Sequence, residues 1–329
     1  MQALIDSVLQ GDERAVARAC RVIDDRAAGF QELLRGLYAR TGRASVIGVT
    51  GTGGAGKSSL VDALVGRLRA EGKRVGVLAV DPSSPFTGGA ILGDRVRMQR
   101  HFEDAGVFIR SIASRGAQGG LSRSAREQGF VLDAAGYDVI LVETLGVGQD
   151  ELEVSEWVDS TVLVCAPGMG DEVQALKSGI LEIADVFVVN KADRPGSDAL
   201  AADLEQRISL GRAVRAGPAR QHGHGAFVGL AAVPDDERWE PPIVKCVAVR
   251  DEGTPELLQA ILRHRAWLAS TPGKARTLAR QRMASKRLLQ TLLAEHVAAA
   301  HMAEIDLLAE RVARRELDPY EACERIHTG

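Results

Sequence analysis

An eight-residue loop in the first fifth of the chain reads Gly51-Thr52-Gly53-Gly54-Ala55-Gly56-Lys57-Ser58, the pattern G-x-x-x-x-G-K-S. It follows the apolar run Ser45–Thr50 and precedes a helical run, Ser59–Arg69. Glycines let successive backbone N–H groups turn toward one anion, and the following helix adds the positive end of its dipole. The context of strand, loop and helix therefore favours a phosphate-binding loop over a glycine-rich turn without a ligand. In such a loop Lys57 reaches the β- and γ-phosphates, and the Ser58 hydroxyl holds Mg²⁺.

A second motif, Asn190-Lys191-Ala192-Asp193, follows the apolar run Val186–Val189. The carboxylate of Asp193 can accept both the N1–H and the exocyclic N2–H of guanine. Adenine offers neither donor, and a buried acceptor left unsatisfied costs about 1–3 kcal/mol. The alternative is a helix cap, because Asn and Asp favour such positions. Together with the phosphate loop, the motif predicts that the nucleotide is GTP or GDP.

Two further apolar runs end in acidic residues, Asp81 and Glu143. Ligands of a doubly wound sheet bind outside the carboxyl ends of its parallel strands, so both carboxylates are expected to face the phosphate loop. Mg²⁺ prefers oxygen ligands, which one or two carboxylates, Ser58 and phosphate would supply. For Asp81 a capping role is the alternative. The segment Glu143–Gln149 is expected to sense the γ-phosphate, and its glycines allow the backbone to move.

The composition excludes several classes of protein. The 329 residues carry 41 basic and 44 acidic side chains, a net charge of −3, so nothing favours nucleic acid or an anionic membrane as a partner. No apolar run approaches the roughly 18 residues of a membrane span, and the N-terminus lacks a signal-peptide pattern. Four widely spaced cysteines predict neither a zinc site nor a disulfide framework and favour a reducing, cytoplasmic location. They are Cys20, Cys165, Cys246 and Cys323.

Hydrophobic periodicity predicts three regions. Residues 1–40 are expected to form an N-terminal helical extension, residues 41–270 an α/β domain with a doubly wound, mostly parallel sheet, and residues 271–329 a C-terminal helical arm. Val244–Val249 is expected to be the last strand, and Thr254 to open a helix. His222 and His224 could ligate a metal, but a solvated loop is the favoured interpretation because a third ligand is absent.

The C-terminal arm contains neither Gly nor Pro from Lys274 to Asp318, and its leucines form apolar stripes. A helix with one apolar stripe needs a surface to cover it. Two alternatives remain open: the arm packs on its own domain, or it forms a homodimer.

Spacing narrows the class of nucleotide-binding protein. Lys57 and Glu143 are 86 residues apart (143 − 57), with a complete strand and loop between them. The strand ending at Asp81 directly follows the phosphate-loop helix and should run parallel to the first strand. This arrangement resembles the signal-recognition and metallochaperone branch of P-loop GTPases more than the Ras branch.

Several segments resemble the MeaB/ArgK/MMAA family, whose members are G-protein chaperones of adenosylcobalamin-dependent acyl-CoA mutases. The segments are Leu78–Ser84, Thr87–Asp94, Arg97-Met98 and Glu143–Gln149. The resemblance implies that Ser58, Asp81, Asp94 and Glu143 surround Mg²⁺. It also implies that Pro167–Gln174 with Lys177 form a third switch that signals to the mutase through Asp171, Gln174 and Lys177. The C-terminal helices resemble the family's dimerisation arm.

The nucleotide-binding residues expected from the two motifs and the resemblance are Gly51, Thr52, Gly53, Gly54, Ala55, Gly56, Lys57, Ser58, Ser59, Asn190, Lys191, Asp193, Val247, Ala248 and Val249. Lys57 and Glu143 are expected to serve catalysis, and Gln149 is the candidate for positioning water. The sequence departs from the family at two places. Val247 replaces a serine in the loop that backs the base, and the phosphate loop is closer to that of the G-domain fused in isobutyryl-CoA mutase.

The resemblance implies a slow GTPase, stimulated by its partner, that gates adenosylcobalamin loading and protects or reactivates a mutase. The client could be methylmalonyl-, isobutyryl- or 2-hydroxyisobutyryl-CoA mutase. The sequence leaves two other functions open. One is a kinase for a transport protein, which would need ATP, and the other is a metal-insertion GTPase for urease or hydrogenase, whose expected paired Cys or His ligands are missing.

Overall fold

A computed structural model describes residues 1–81, 98–113, 120–144, 154–168, 181, 183–216 and 238–328. Seven strands lie in these ranges and form one sheet. They are β1 (Ser45–Gly51), β2 (Val75–Asp81), β3 (Val107–Ala113), β4 (Val139–Glu143), β5 (Ser160–Cys165), β6 (Val186–Val189) and β7 (Ile243–Lys245).

All neighbouring strands of the sheet run parallel, in the order β3-β2-β4-β1-β5-β6-β7. Because parallel strands need crossover connections, their carboxyl ends share one edge of the sheet. The register pairs Val49 with Glu143 and Gly51 with Val164, so the phosphate loop leaves the sheet next to the end of β4. β4 lies between β1 and β2, which confirms that the strand after the phosphate-loop helix is parallel to β1 without being its neighbour.

Helices cover both faces of the sheet. In chain order, the α-helices of the described residues are α1 (Gln2–Leu9), α2 (Glu13–Asp24), α3 (Phe30–Tyr38), α4 (Lys57–Ala70), α5 (Gly120–Ala134), α6 (Ser197–Ala216), α7 (Thr254–Leu268), α8 (Thr271–Ala300), α9 (Met302–Ala313) and α10 (Pro319–Thr328). None of those helices combines the length and the apolar content that crossing a bilayer requires.

Alternating side chains of the strands build a core on each face. On β4, Val139 and Leu141 join the cluster that contains α4 and α7. Ile140 and Val142 join a second cluster with α1, α2, α3 and α5. This period of two places buried apolar residues on both faces, as expected for an interior parallel strand. The fold is therefore the doubly wound α/β architecture that the sequence predicts.

The first helices pack on the sheet through one apolar stripe. On α2, Val16, Cys20 and Ile23 are fully buried, and Asp12 caps the helix by accepting a hydrogen bond from the backbone N–H of Ala15 at 2.7 Å. A capping side chain of this kind typically stabilises a helix by about 1 kcal/mol.

The chain divides into two compact units, Met1–Thr277 and Leu278–Gly329. Within the second unit α9 and α10 share a small apolar cluster that contains Leu308, Leu317 and Ala322. The domain boundaries predicted at residues 40 and 270 stay predictions.

The last strand is shorter than the sequence predicts. β7 ends at Lys245, and Ala248–Arg250 form a 3-10 turn, so the prediction of a strand through Val249 is wrong beyond Lys245. The chain reverses here because Val247 and Glu252 pair as an antiparallel bridge and Asp251 adopts a left-handed φ of 58°. The mostly apolar segment Val244–Val249, which contains three valines, favours a strand, but the local backbone bonds form a turn instead.

Candidate nucleotide site

The phosphate loop connects β1 to α4, and two of its glycines are required by close contacts. Gly51 has a φ of 143°, and a Cβ there would lie 2.0 Å from the carbonyl oxygen of Val164 on β5. Gly56 has a φ of 91°, and its Cβ would lie 2.4 Å from Nδ2 of Asn190. Any larger residue at either position would push the loop away from β5 or from the base motif.

Lys57 is the first residue of α4, and its ammonium group lies against the phosphate loop. Its Nζ donates to the carbonyl oxygens of Gly51 at 2.8 Å and Thr52 at 3.0 Å. The side chain is only 7% exposed. A cation thus lies beside the loop at the N-terminus of a helix, where negative charge is favoured.

Ser58 and Glu143 meet beneath the same loop. The Ser58 hydroxyl donates to Oε1 of Glu143 at 2.7 Å, and both residues are buried. Next to them, the Thr144 hydroxyl donates to that of Thr50 at 3.0 Å. A hydroxyl oxygen beside a carboxylate at a phosphate loop is a donor set that suits Mg²⁺, which takes oxygen ligands. The residues present therefore fit the metal that the sequence predicts.

Asn190 holds the phosphate loop and the turn after β7 together. Its Nδ2 donates to the carbonyl oxygen of Ala55 at 2.8 Å, and its Oδ1 accepts from the backbone N–H of Ala248 at 3.1 Å. Asn190 is 2% exposed. The neighbouring Lys191 donates from Nζ to the carbonyl oxygen of Gly54 at 2.7 Å. These bonds bring the two motifs, which are more than a hundred residues apart in the sequence, into one site.

Asp193 lies at the exposed rim of this site. Its Oδ2 is 3.6 Å from Nη1 of Arg250, which follows the segment Val247–Val249. Val247 and Ala248 are buried, whereas Val249 is 82% exposed. No spacing or motif in the sequence singles out Arg250, so the structure adds this residue to the site.

A cavity of about 550 Å³ opens between α4 and the 3-10 turn. Ser59, Ala248 and Val249 are among the residues that line it. The predicted residue Ser59 thus lies on the same side of α4 as the turn after β7.

The structure brings some predicted residues together and leaves others undescribed. Asp81 ends β2, on the far side of β4 from the phosphate loop, and its side chain is outside the described part of the chain. The remaining predicted residues of the metal site and the switches also lie outside the described residues. They are Asp94, Gln149, Asp171, Gln174 and Lys177, and the two histidines His222 and His224 are undescribed as well.

A cysteine beside the base motif has an unreactive thiol. Cys246 lies between β7 and Val247, and burial raises its pKa to about 12, with a smaller contribution from Glu256. The thiolate that reacts with electrophiles or metals is therefore scarce at neutral pH.

The order of the parallel strands and the glycine-rich loop before α4 define a P-loop GTPase fold. The family model for the Methylmalonyl Co-A mutase-associated GTPase MeaB matches residues 15–305, and the chain belongs to this family. Its members are GTPases, so nucleotide binding and GTP hydrolysis follow from membership.

Individual relatives agree with this assignment. A Pyrococcus abyssi protein named as a GTPase is 42% identical over 326 residues, covering 98% of this chain and 94% of the relative. The GTPase ArgK of Escherichia coli is 37% identical over 257 residues, covering 77% of this chain and 72% of that protein. The mitochondrial methylmalonic aciduria type A homolog of Caenorhabditis elegans is 38% identical over 208 residues, covering 59% of this chain and 52% of that protein.

A solved structure has the same architecture along nearly the whole chain. The crystal structure of a LAO/AO transport system kinase superposes with a TM-score of 0.65 at 27% identity, covering 99% of this chain and 96% of that one.

Proposed function

We propose that this GTPase binds GTP and Mg²⁺ at the site between the phosphate loop and Asp193, and that its nucleotide state gates an adenosylcobalamin-dependent acyl-CoA mutase. The observation that carries the proposal is the bridge made by Asn190. One buried amide contacts both the phosphate loop and the backbone of Ala248. A ligand with phosphates at one end and a base at the other would span both motifs.

Each described residue has a role in this proposal. Lys57 places its ammonium on the phosphates, where it offsets the charge that develops during phosphoryl transfer. Ser58 and Glu143 are the residues that would hold Mg²⁺, which, when bound, neutralises charge on the β- and γ-phosphates. Asp193 accepts the two N–H groups of guanine. The intrinsic rate is expected to be low, on the order of that of G-proteins that lack a supplied arginine.

Base selectivity is tested by calorimetry with GDP and ADP in the presence of Mg²⁺. The wild-type protein is expected to bind GDP and to reject ADP. In Asp193→Asn the amide presents a donor to the N–H groups of guanine, so the preference for GDP is expected to fall by a factor of at least about 10, the equivalent of one lost charged hydrogen bond. Full retention of the preference in Asp193→Asn would refute the assignment of this residue.

The mutase partner is supported by the name of the family model and by that of the nematode relative. We propose that GTP orders the loops around Asp94, Glu143 and Lys177, and that hydrolysis releases them. GTP turnover is measured with methylmalonyl-, isobutyryl- and 2-hydroxyisobutyryl-CoA mutase in turn. One of them is expected to stimulate turnover, and Lys177→Ala is expected to keep GDP binding while losing that stimulation. The absence of an effect of all three enzymes would contradict the chaperone role.

The kinase named in the related crystal structure supplies a second candidate function, the phosphorylation of a transport protein. This function needs ATP, whereas Asp193 suits guanine. The GDP and ADP measurement separates the two candidates, because a protein that binds ADP and rejects GDP would favour the kinase.

We also propose that the C-terminal helices form a homodimer and that the protein acts in the cytoplasm. Along α8 the side chains of Leu289, Leu293 and Val297 are about half exposed or more, at 60%, 64% and 49%. They recur every four residues and so form one apolar stripe. Light scattering is expected to give twice the mass of the 35.1 kDa chain, and Leu289→Glu with Leu293→Glu is expected to give the monomer mass.

A further inference from the structure

Arg250 lies on the turn that carries Ala248 and approaches the side chain proposed to read the base. Its Nη1 is 3.6 Å from Oδ2 of Asp193. Glu252 holds the same guanidinium, because Nε lies 2.9 Å from its Oε1 and Nη2 donates to its Oε2 at 3.3 Å. Arg250 therefore joins two carboxylates, and one of them is the proposed reader of guanine.

The backbone of this turn is fixed relative to the base motif. The N–H of Val247 donates to the carbonyl oxygen of Glu252 at 2.9 Å, and the N–H of Arg250 donates to that of Val247 at the same distance. The N–H of Ala192 donates to the carbonyl oxygen of Cys246 at 3.0 Å. These bonds join the two segments on which Arg250 and Asp193 lie, so the ion pair is set by the backbone as well as by the side chains.

We infer that Arg250 is a positioning residue for base selectivity, which it exerts by orienting the Asp193 carboxylate toward the N–H donors of guanine. The inference rests on the proposed guanine-binding function. A carboxylate has about four lone-pair sites, so Asp193 can accept two donors from the base and keep its ion pair with Arg250. Preorganisation of this kind raises affinity by removing the cost of ordering the side chain on binding.

Solvent exposure of Arg250 and Asp193 limits how much their ion pair contributes to nucleotide binding. The side chains of Arg250 and Asp193 are 51% and 41% exposed, so water and salt screen their attraction. Loss of the pair is expected to weaken GDP binding about two- to fivefold, the range of an exposed ion pair. Inosine diphosphate lacks the exocyclic amine of guanine, so it makes one contact fewer with Asp193. The ratio of IDP to GDP dissociation constants therefore reports how well Asp193 is oriented.

The experiment measures GDP and IDP binding by the full-length protein with Mg²⁺, as wild type, Arg250→Gln and Arg67→Gln. Arg67 pairs with Asp251 on the same turn at 2.5 Å and is the matched control, because its loss removes an ion pair without touching Asp193. Arg250→Gln is expected to lower GDP affinity and to lower the IDP-to-GDP ratio by a smaller factor, because IDP keeps the N1–H contact with Asp193 and is weakened in part as well. Arg67→Gln is expected to leave the ratio unchanged. Glu252→Gln is expected to change the ratio in the same direction as Arg250→Gln, since Arg250 loses its second anchor.

Several outcomes would overturn the inference. Tighter GDP binding by Arg250→Gln would show that the arginine competes with the base. An unchanged ratio, or an equal change in Arg67→Gln, would show that Arg250 contributes no more than surface charge. Should Arg250→Gln fold poorly, Arg250→Ala replaces it, because it also removes the guanidinium, and a ratio equal to that of the wild type would again overturn the orienting role. A wild-type protein that does not prefer GDP over ADP would instead contradict the proposed function itself.

Discussion

At the scale of single residues, the loop glycines divide into those that contacts require and those that the pattern alone suggests. Gly51 lies against the backbone of β5, whereas a Cβ on Gly53 would meet nothing within 4 Å. The sequence motif contains both, and only the structure separates them. Gly51 is required because β5 packs against it, and the local sequence around Gly51 contains no information about that neighbouring strand.

Substituting Gly51 is therefore expected to cost much more stability than substituting Gly53. Gly51→Ala places a Cβ 2.0 Å from the carbonyl oxygen of Val164 at a φ of 143°. We expect the free energy of unfolding to fall by about 3 kcal/mol, as overpacking and backbone strain combine. Gly53→Ala is the control, with an expected change within about 0.5 kcal/mol. Urea denaturation measures both, and equal losses would contradict the close contact with β5.

The cysteines are expected to differ sharply in reactivity. Burial raises the pKa values of Cys20, Cys165 and Cys246 to about 12, while Cys323 is exposed. In a thiol assay at pH 8 the native protein is expected to release one equivalent quickly, and the urea-unfolded protein four. Rapid reaction of more than one thiol in the native state would mean that the core opens on the timescale of the assay. Cys323→Ser is the control that should remove the fast phase.

At the scale of elements, the start of β6 is anchored by a buried polar cluster. Asp185, immediately before the strand, accepts the backbone N–H of Thr161 at 2.8 Å and pairs with Arg276 near the start of α8. His264 of α7 lies 3.5 Å from the same carboxylate, and its Nδ1 is 2.7 Å from the Ser160 hydroxyl. Asp185 and His264 are fully buried. This cluster holds the end of β6 opposite to the base motif.

Loss of the arginine from this cluster is expected to be costly. In Arg276→Met the Asp185 carboxylate stays buried without its cation, which typically costs about 3–5 kcal/mol. Arg263→Met, at an exposed position of α7, is the matched control with an expected change below about 0.5 kcal/mol. Thermal denaturation at pH 7 compares the two variants with the wild type. A loss of less than about 1 kcal/mol in Arg276→Met would show that water or another group compensates for the arginine.

The sequence predicts the elements of this sheet better than their ends. Apolar runs of four to seven residues identify β1, β2, β4 and β6, because strands buried on both faces are continuously apolar. Apolar residues do not indicate a strand at Val247–Val249. There they lie in a turn that is held by backbone hydrogen bonds. The polar cluster around Asp185 could not be predicted from the sequence either. Its members come from four elements that only the folded sheet brings together.

At the scale of the whole molecule, the two nucleotide motifs could be predicted from the sequence, and the bridge between them could not. The order of motifs along the chain indicates one site, since parallel strands end at one edge. The contacts of Asn190 depend on the exact register of β1, β5 and β6, which hydrophobic patterns leave open. The contact between Arg250 and Asp193 could not be predicted either, because it forms only when the turn after β7 lies beside the base motif.

Nucleotide binding is expected to stabilise the fold, because the site exists only in the folded protein. At a free concentration of about 100 times Kd, GDP adds about 2.7 kcal/mol to the free energy of unfolding. The melting temperature is expected to rise with GDP and Mg²⁺ and to stay constant with ADP. In Glu143→Gln the dependence of this rise on Mg²⁺ should weaken. An equal rise with both nucleotides would contradict the guanine preference.

Binding to a mutase must obey linkage. If GTP changes the affinity for the mutase by some factor, the mutase changes the affinity for GTP by the same factor. Calorimetric titrations in both orders are expected to give equal factors with a non-hydrolysable GTP analogue. Unequal factors would mean that a third equilibrium, such as dimer dissociation, contributes to the measurement.

The side chain of Asn190 also bears on how a nucleotide leaves. Its amide is bonded both to the phosphate loop at Ala55 and to the turn beside the base at Ala248. Movement of either segment away from the nucleotide therefore disturbs a bond to the other. Escape of the ligand then requires a single concerted opening instead of two independent ones, and it should be slow when unassisted. A protein that accelerates exchange could act on both ends of the pocket by displacing the Asn190 side chain together with the neighbouring bond from Lys191 to Gly54.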